Sequence, residues 1–275
     1  MNVCDLVFEL PLHRPAIMGI LNVTPDSFSD GGKFNTVEKA TIQAELMMSE
    51  GADIIDIGGE STRPGAIQIS LQEELDRVLP VIEKLKGLPL SIDTYKAKVA
   101  DLAISSGCKI INDISALGDP EMASVAVKNQ VPICLMHRGP ILTVSEVKDY
   151  LSNRLDFALS CGLNLDQIWI DPGFGFGKTK ENDLELLRHL DQIVGLGQPV
   201  LVGMSRKRLI GALLSEADSY QPSELRPISD RIYGSISAHL WATQKDARIV
   251  RVHDVQPMRD ALIVWQALKN EIGNV

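Results

Sequence analysis

Polar and charged residues follow several apolar segments of this chain, at the point where each segment ends. Arg251-Val252-His253-Asp254 ends an apolar run that starts at Ala247, and Asn22 follows the apolar run from Ala16 to Leu21. Arginine and histidine bind anions such as phosphate, whereas an amide oxygen can bind a hard cation such as Mg2+. Reactive residues at the exits of many buried strands are typical of a (β/α)8 barrel enzyme, whose active site lies on one rim.

Four cationic residues are predicted at this rim, in a chain that is acidic overall: Arg63, Lys207, Arg251 and His253. The chain has 27 Lys and Arg against 36 Asp and Glu, a formal charge of −9, which argues against a nucleic-acid-binding scaffold. For any one of these cationic residues taken alone, a surface ion pair is a sufficient explanation. Four at one rim indicate a phosphate site, and Ser205 is predicted to cap a helix whose N-terminus adds backbone donors.

Three further residues end apolar segments: Asp93, Asn112 and Asp171. A buried carboxylate or amide needs a partner, and a planar heterocycle with adjacent ring N–H and amine groups supplies one in the way that a guanidinium does. The alternative is structural, with Asp93 capping the helix that begins near Thr94 and Asn112 fixing a turn.

The loop after Asn22 is polar, rich in turn residues and too long for a simple connection, so it is predicted to act as a lid. A Mg2+ ion held by one neutral protein ligand must take its other ligands from water and substrate phosphates, so the metal would arrive with a diphosphate. Taken alone, Asn22 is better explained as a cap of this loop. The cationic residues at the same rim favour the metal site.

The segment Gly173-Phe174-Gly175-Phe176-Gly177-Lys178-Thr179 resembles a phosphate-binding loop, but that motif needs glycine where Pro172 stands. We therefore reject it. The glycines are predicted to let the backbone pass close to a flat ligand, with Phe174 or Phe176 facing an aromatic ring. Packing into the core is the alternative for both phenylalanines, and we expect it for at least one.

Short apolar segments alternate with longer amphipathic ones, which predicts parallel strands joined by crossover helices. The predicted strands are 16–21, 53–57, 88–92, 109–112, 131–135, 167–170, 199–203 and 249–252. The predicted helices are 36–50, 71–86, 95–105, 120–128, 144–160, 180–194, 207–215 continuing over 229–244, and 256–271. We expect one domain, 1–275, with a short N-terminal strand or hairpin over 3–10 that closes the barrel bottom.

Cellular location is predicted from what the chain does not contain. We find no signal-peptide pattern near the start and no apolar stretch of about 18 residues that could span a bilayer. The four cysteines, Cys4, Cys108, Cys134 and Cys161, are scattered, which disfavours metal and disulfide sites. These features indicate a reducing cytoplasm.

Seven motifs, in order and each at a predicted strand exit, resemble those of the dihydropteroate synthase family. They are Asn-Val-Thr-Pro-Asp-Ser-Phe-Ser-Asp-Gly-Gly, Gly-Gly-Glu-Ser-Thr-Arg-Pro-Gly, Ser-Ile-Asp-Thr, Ile-Asn-Asp-Ile, Asp-Pro-Gly-Phe-Gly-Phe-Gly-Lys, Gly-Met-Ser-Arg-Lys and Arg-Val-His-Asp-Val. The resemblance runs from about Ile17 to Leu268. It implies a barrel that assembles as a homodimer and a transferase that joins a pterin diphosphate to 4-aminobenzoate, releasing diphosphate in folate biosynthesis.

The resemblance also implies roles for individual residues. Asn22 would bind Mg2+, and the diphosphate would be held by Arg63, Arg251 and His253, with Thr62 near the reaction centre. The pterin pocket would be lined by Asp93, Asn112 and Asp171, with Met136 beneath. Lys207 would lie between the pterin and the aminobenzoate, and Pro64 and Phe176 would flank the aminobenzoate. The residues implied for the chemical step are Arg63, Lys207 and Asp93, which act by electrostatic stabilisation rather than as an acid–base pair.

Two departures from the family pattern leave other functions open. The loop after His137 is shorter than usual, and a polar insert spans Ser215 to Pro227. One alternative is a catalytically silent paralogue that binds pterin. The other is a methyltransferase that moves a methyl group from methyltetrahydrofolate to a corrinoid protein, although it has no need for a diphosphate site. Measuring pterin binding together with diphosphate release separates the three.

Overall fold

We analysed a computed structural model that describes residues 9–24, 33–61, 67–218 and 225–271. The strands are β1 (Ala16–Asn22), β2 (Ile54–Gly58), β3 (Leu90–Asp93), β4 (Ile110–Asp113), β5 (Ile133–Met136), β6 (Ile168–Asp171), β7 (Leu201–Val202) and β8 (Ile249–Val252). All pairings are parallel, in the order β6-β5-β4-β3-β2-β1-β8-β7. A bridge between Ile170 and Val200 joins the two ends of this sheet. The predicted (β/α)8 barrel is confirmed.

Helices lie between the strands. They are α1 (Lys33–Glu50), α2 (Leu71–Lys84), α3 (Ala97–Ser106), α4 (Met122–Asn129), α5 (Val144–Ser160), α6 (Lys180–Arg188), α7 (Asp191–Val194), α8 (Arg208–Ala217), α9 (Ile232–Gln244) and α10 (Val255–Glu271). Three begin at side-chain caps: Ser70, Thr143 and Thr179 each accept a hydrogen bond from the backbone N–H three residues later. No helix in the described ranges is long and apolar enough to cross a membrane.

The single helix predicted over 180–194 is two helices in the structure. The break falls at His189 and Leu190, where the Gln192 N–H donates to the His189 carbonyl at 3.0 Å, a tight turn that interrupts the α-helical pattern. This turn buries Leu190 and Ile193 completely. Burial of these two side chains stabilises the break, although the local sequence contains neither glycine nor proline.

The barrel interior is filled at the amino ends of the strands by an apolar cluster, which we call the barrel floor. It consists of Ala16, Met18, Ile54, Ile110, Cys134, Trp169, Leu201 and Ile249, and Leu10 packs against it. A second and larger cluster lies between the strands and the helices. Leu10 packs against the floor, but residues 9 and 10 are not part of a strand, and the rest of the strand predicted over 3–10 lies outside the described residues.

Side chains along a strand point alternately to opposite faces, so the residue two positions after a floor residue also faces the barrel interior. Apart from Met18, which is itself a floor residue, these positions hold Ile20, Asp56, Asn112, Met136, Asp171, Gly203 and Arg251. Four of the seven are polar or charged, and those four lie beyond the floor, toward the carboxyl ends of their strands. The barrel interior therefore changes from apolar to polar within one layer of side chains, and that polar layer is the candidate site.

We predict that Ile54→Ala lowers the free energy of unfolding by about 2–5 kcal/mol, because it leaves a cavity in the barrel floor. Ile54 is fully buried, whereas Ile42 on α1 is 59% exposed. The matched control Ile42→Ala should change stability by no more than about 0.5 kcal/mol. Urea unfolding of both variants checks this, and equal losses would mean that the floor is not the packed core of the barrel.

Candidate active site

The centre of the polar layer is Arg251, whose guanidinium lies between two buried carboxylates. Its Nε donates to Asp56 at 2.6 Å and one Nη donates to Asp93 at 2.8 Å. The same Asp56 oxygen accepts a bond from the Asn112 amide at 2.9 Å. The network therefore joins residues on β2, β3, β4 and β8.

One guanidinium cannot neutralise two carboxylates fully. Burial raises the pKa of Asp93 to about 7; Arg251 opposes this shift and the charge of Asp56 adds to it. Burial alone would lower the pKa of Arg251, but Asp56 and Asp93 raise it above its usual value. Near neutral pH the network is therefore balanced between a protonated and an ionised Asp93.

Some polar atoms of this layer have no partner within the described part of the chain. They are one oxygen each of Asp56 and Asp93 (both Oδ1) and the Ser91 hydroxyl, all buried. A buried polar atom without a hydrogen bond costs free energy, which a ligand carrying donors can recover. Asp93 thus offers an unused acceptor to a molecule that enters the barrel mouth.

A second group forms beside β6. The Gly173 N–H donates to Asp171 Oδ1 at 2.7 Å, and Lys207 Nζ donates to the Phe174 carbonyl and lies 4.5 Å from the centre of the Phe176 ring. Burial raises the pKa of Asp171, while nearby Lys207 opposes the shift. Burial lowers the pKa of Lys207 to about 8, although Asp171 favours its charged form. Burial thus disfavours the charged form of each group, and the opposite charge of the other offsets part of that effect.

The two phenylalanines have different environments. Phe174 is 1% exposed and belongs to the apolar layer between strands and helices, so core packing, the expected outcome for at least one of the two, is confirmed for it. Phe176 is only partly buried and lies under the Lys207 ammonium. Phe176 alone therefore keeps an aromatic face toward the site.

His253 and Ser205 bring the ends of β7 and β8 together. The Ser205 hydroxyl lies 3.0 Å from His253 Nδ1 and accepts the His253 backbone N–H at 3.1 Å. The prediction that Ser205 caps a helix is wrong, because Lys207 occupies the N-cap position of α8. The hydroxyl is used to hold the histidine instead.

Asn22 lies at the mouth, beside the central network. It pairs in register with Gly58, and a methyl group at Gly58 would lie 3.7 Å from Asn22 Oδ1 and 3.7 Å from Asp93 Oδ2. The absence of a side chain at Gly58 therefore keeps open the space between the amide and the carboxylate.

Met136, at the end of β5, is buried and pairs in register with Asp171 on β6.

The structure thus gathers most of the predicted site residues in one place. Arg251 bonds directly to Asp93 and is joined to Asn112 through Asp56. Lys207 lies 4.5 Å from the centre of the Phe176 ring, and its charge acts on Asp171. Thr62, Arg63 and Pro64 lie outside the described residues. Of the four cationic residues predicted at the rim, Lys207, Arg251 and His253 lie within the described residues. Arg251 donates to carboxylates through two of its nitrogens and retains Nη1 for other ligands.

The structural alternatives for two residues do not hold. α3 begins at Ala97 with Lys96 at its N-cap, so Asp93 does not cap a helix. The turn after β4 is fixed by Asp113, which accepts bonds from the Ser115 and Leu117 backbone N–H groups, rather than by Asn112. Asp93 and Asn112 are both directed to the barrel interior.

Sequence reasoning missed Asp56, which is fully buried and binds both Arg251 and Asn112. A signal was present in Ile54-Ile55-Asp56-Ile57, where a carboxylate interrupts an apolar strand. An ionised group inside a strand needs a partner from elsewhere in the fold. Asp56 lies inside β2 rather than at its exit, so the pattern of polar residues at strand exits does not include it.

Comparisons with known proteins agree with this geometry. A model of the family described as pterin binding enzyme matches residues 18–253. The dihydropteroate synthase of Haemophilus influenzae is 45% identical, over 95% of this chain and 96% of the relative. The chain belongs to the dihydropteroate synthase family. The Bacillus subtilis dihydropteroate synthase is also 45% identical, over 95% of this chain and 91% of the relative.

Solved structures of the family superpose closely on this barrel. A Xanthomonas albilineans dihydropteroate synthase with 4-aminobenzoic acid gives a TM-score of 0.87 at 46% identity, covering 93% of each chain. The enzyme from the same organism in complex with 7,8-dihydropteroate gives 0.85 at 44% identity, covering 94% of this chain and 95% of the other. The family predicted from the seven motifs is therefore confirmed.

We predict that the stability of the protein relative to Asp93→Asn falls as pH rises from about 4 to 7, by at most about 1.4 kcal/mol per pH unit. The pKa of Asp93 in the folded state, about 7, exceeds the ordinary value of 3.8, so the folded protein retains a proton that the unfolded chain has lost. This stabilisation is complete below the unfolded pKa and disappears as pH rises through 7.

Urea unfolding of both proteins at several pH values in this window measures the difference. Contributions of titrating groups that do not interact with Asp93, such as the buried His239, cancel in the subtraction. The same substitution at exposed Asp260 on α10 is the matched control. A difference independent of pH would show that Asp93 stays ionised.

Proposed function

We propose that this member of the dihydropteroate synthase family condenses 6-hydroxymethyl-7,8-dihydropterin diphosphate with 4-aminobenzoate to give 7,8-dihydropteroate and diphosphate. The observation that carries the proposal is the buried polar layer around Arg251, which presents acceptors to a flat, donor-rich heterocycle. Relatives crystallised with 4-aminobenzoic acid and with 7,8-dihydropteroate support the same substrates.

Pterin recognition is assigned to Asp93, Asn112 and Asp171. Asp171 is held by the Gly173 N–H through one oxygen, so its carboxylate orientation is set before the pterin binds. An ionised carboxylate can accept two bonds from the adjacent amine and ring N–H of a pterin. Asp93 Oδ1 supplies a further acceptor, and Met136 packs beneath the ring.

The chemical step replaces one bond by another at the methylene carbon of the pterin. The arylamine nitrogen attacks this carbon, the carbon–oxygen bond to diphosphate breaks, and the nitrogen then loses a proton. Positive charge develops on the pterin during this displacement, and the carboxylates of Asp93 and Asp171 stabilise it. The arylamine is neutral at pH 7 and therefore needs positioning by Lys207, Phe176 and Pro64 rather than deprotonation.

The diphosphate is assigned to Arg63, Arg251 and His253, with Thr62 beside the reacting carbon. Arg251 can use Nη1, since its other two nitrogens donate to Asp56 and Asp93. His253 is oriented through the contact of its Nδ1 with the Ser205 hydroxyl. Arg63 and Arg251 contribute to the chemical step because charge builds up on the leaving group.

Asn22 is assigned as the protein ligand of Mg2+. Its amide oxygen stands at the mouth across Gly58 from Asp93, and no group of three or more His, Cys, Asp or Glu in the described ranges could hold a metal. A hard cation with one neutral protein ligand fits an ion that binds together with a diphosphate. When bound, Mg2+ would neutralise charge on the departing diphosphate.

The homodimer expected from the family resemblance is supported by α9. Tyr233, Ser237 and Trp241 are spaced by four residues and lie on one face, with Tyr233 82% and Trp241 45% exposed. A second copy of the chain would bury this aromatic face.

The cytoplasmic location is also a proposal. Cys108, Cys134 and Cys161 are free thiols, as a reducing compartment would maintain them.

We predict that the purified protein releases diphosphate and forms dihydropteroate only when both substrates and Mg2+ are present. A coupled diphosphate assay with a chelator arm and an arm without 4-aminobenzoate measures this. Full turnover in excess chelator would remove Asn22 from a metal role. Pterin binding without any diphosphate release would identify a silent pterin-binding paralogue.

We predict that Asp171→Asn weakens binding of the pterin diphosphate by about a hundredfold or more. The substitution presents a donor where an acceptor is needed, and each bond to a charged acceptor contributes roughly 1.5–3 kcal/mol. Calorimetric titration measures this affinity, while the KM for 4-aminobenzoate should change only indirectly. An affinity within about threefold of the unmodified protein would exclude Asp171 from pterin recognition.

A further inference from the structure

The loop after β5 and the loop after β6 are packed together backbone to backbone. The His137 N–H donates to the Asp171 carbonyl at 2.9 Å, and the Gly139 N–H donates to the Phe176 carbonyl at 3.1 Å. Gly173 and Gly177 have φ of +71° and +79°, and a side chain at either would overlap the backbone of His137 or Gly139. The short loop after His137 is therefore held directly against the loop that carries the site.

Lys178 lies at the junction of these two loops. Its ammonium donates to the Gly173 carbonyl at 2.8 Å and is 2.9 Å from His137 Nδ1. It is also 3.5 Å from the His137 carbonyl. An ammonium has three N–H donors, so these three acceptors match its bonding capacity. The proposed reaction assigns no role to Lys178 or to His137.

His137 is suited to accept this bond. Burial and, to a smaller extent, the Lys178 charge lower the pKa of its imidazole to about 4. The ring is therefore neutral at physiological pH, and with its proton on Nε2 it accepts at Nδ1. An edge-to-face contact with Tyr150, with ring centres 4.9 Å apart, fixes the ring orientation.

Gly173 connects this junction to the site. Its N–H binds Asp171 Oδ1 at 2.7 Å, and its carbonyl accepts the Lys178 ammonium. The two peptide groups that flank Gly173 are thus held from opposite sides. Rotation of this glycine would break its bond to Asp171 Oδ1 and so release the carboxylate from its present orientation.

We propose that Lys178, anchored by His137, is a positioning residue for the pterin, because it orients the Asp171 carboxylate through Gly173. The proposal rests on the function proposed above, in which Asp171 reads the pterin. The shortened loop then contributes to pterin recognition through His137, without contacting the pterin itself.

The test compares the unmodified protein with four variants by calorimetric titration with the pterin diphosphate and by steady-state kinetics. Lys178→Met should weaken pterin binding by about tenfold or more, while the KM for 4-aminobenzoate at saturating pterin stays within about twofold. Lys180→Met is the matched control, since Lys180 is two residues away and pairs with Glu216 on α8 at 2.5 Å. It should bind the pterin as the unmodified protein does.

His137→Phe keeps an aromatic ring beside Tyr150 but removes the acceptor. It should give a smaller loss of pterin affinity, about threefold, and the double variant with Lys178→Met should bind no worse than Lys178→Met alone. Additive losses would show that the two side chains act separately and would overturn the anchoring role. If Lys178→Met does not fold, the single variant His137→Phe decides the matter, and unchanged pterin affinity in that variant would overturn the anchoring role.

Two results would overturn the positioning role itself. One is unchanged pterin affinity in a folded Lys178→Met protein. The other is an equal loss in pterin affinity, 4-aminobenzoate KM and kcat, accompanied by a lower Tm, which would indicate general destabilisation. Calorimetry does not require turnover, so failure of the unmodified protein to release diphosphate would count against the proposed reaction and not against this role.

Discussion

The ion-pair network of Arg251 with Asp56 and Asp93 is the interaction on which the rest of the site depends. A guanidinium and two carboxylates are costly to remove from water, and the cost is offset only when each bonds with good geometry to the others. In this barrel the partners come from β8, β2 and β3, so the network holds these strands at a fixed separation. Replacing Arg251 would leave two carboxylates in the interior without their cationic partner.

The apolar floor beneath this network makes such burial possible. It fills the amino end of the barrel and keeps water from reaching the charged layer from below. The low polarity raises the pKa of Asp93 and Asp171 and lowers that of Lys207, so that charges in the layer depend on one another. A site built in this way is preorganised for a ligand that brings both hydrogen-bond donors and a developing positive charge.

Much of this architecture was predictable, because it is encoded by local periodicity. The apolar segments at 16–21 and 249–252 have the spacing of buried strands, and the polar residue that follows each one belongs to the rim. The motifs identified the family before any contact was known. The division of the helix over 180–194 was not predictable, since it results from the burial of Leu190 and Ile193 against distant parts of the fold.

By itself, the sequence determined the barrel, the order of its elements and the residue types available at the rim, because these follow from alternation along strands and from short motifs. Only the tertiary structure decided which of those residues bond to one another. Arg251 was expected to meet a diphosphate, yet two of its nitrogens bind Asp56 and Asp93, and Ser205 holds His253 rather than capping α8. Asp56 and Arg251 are 195 positions apart. Pairing at that separation depends on the closure of the barrel, so no local sequence pattern predicts it.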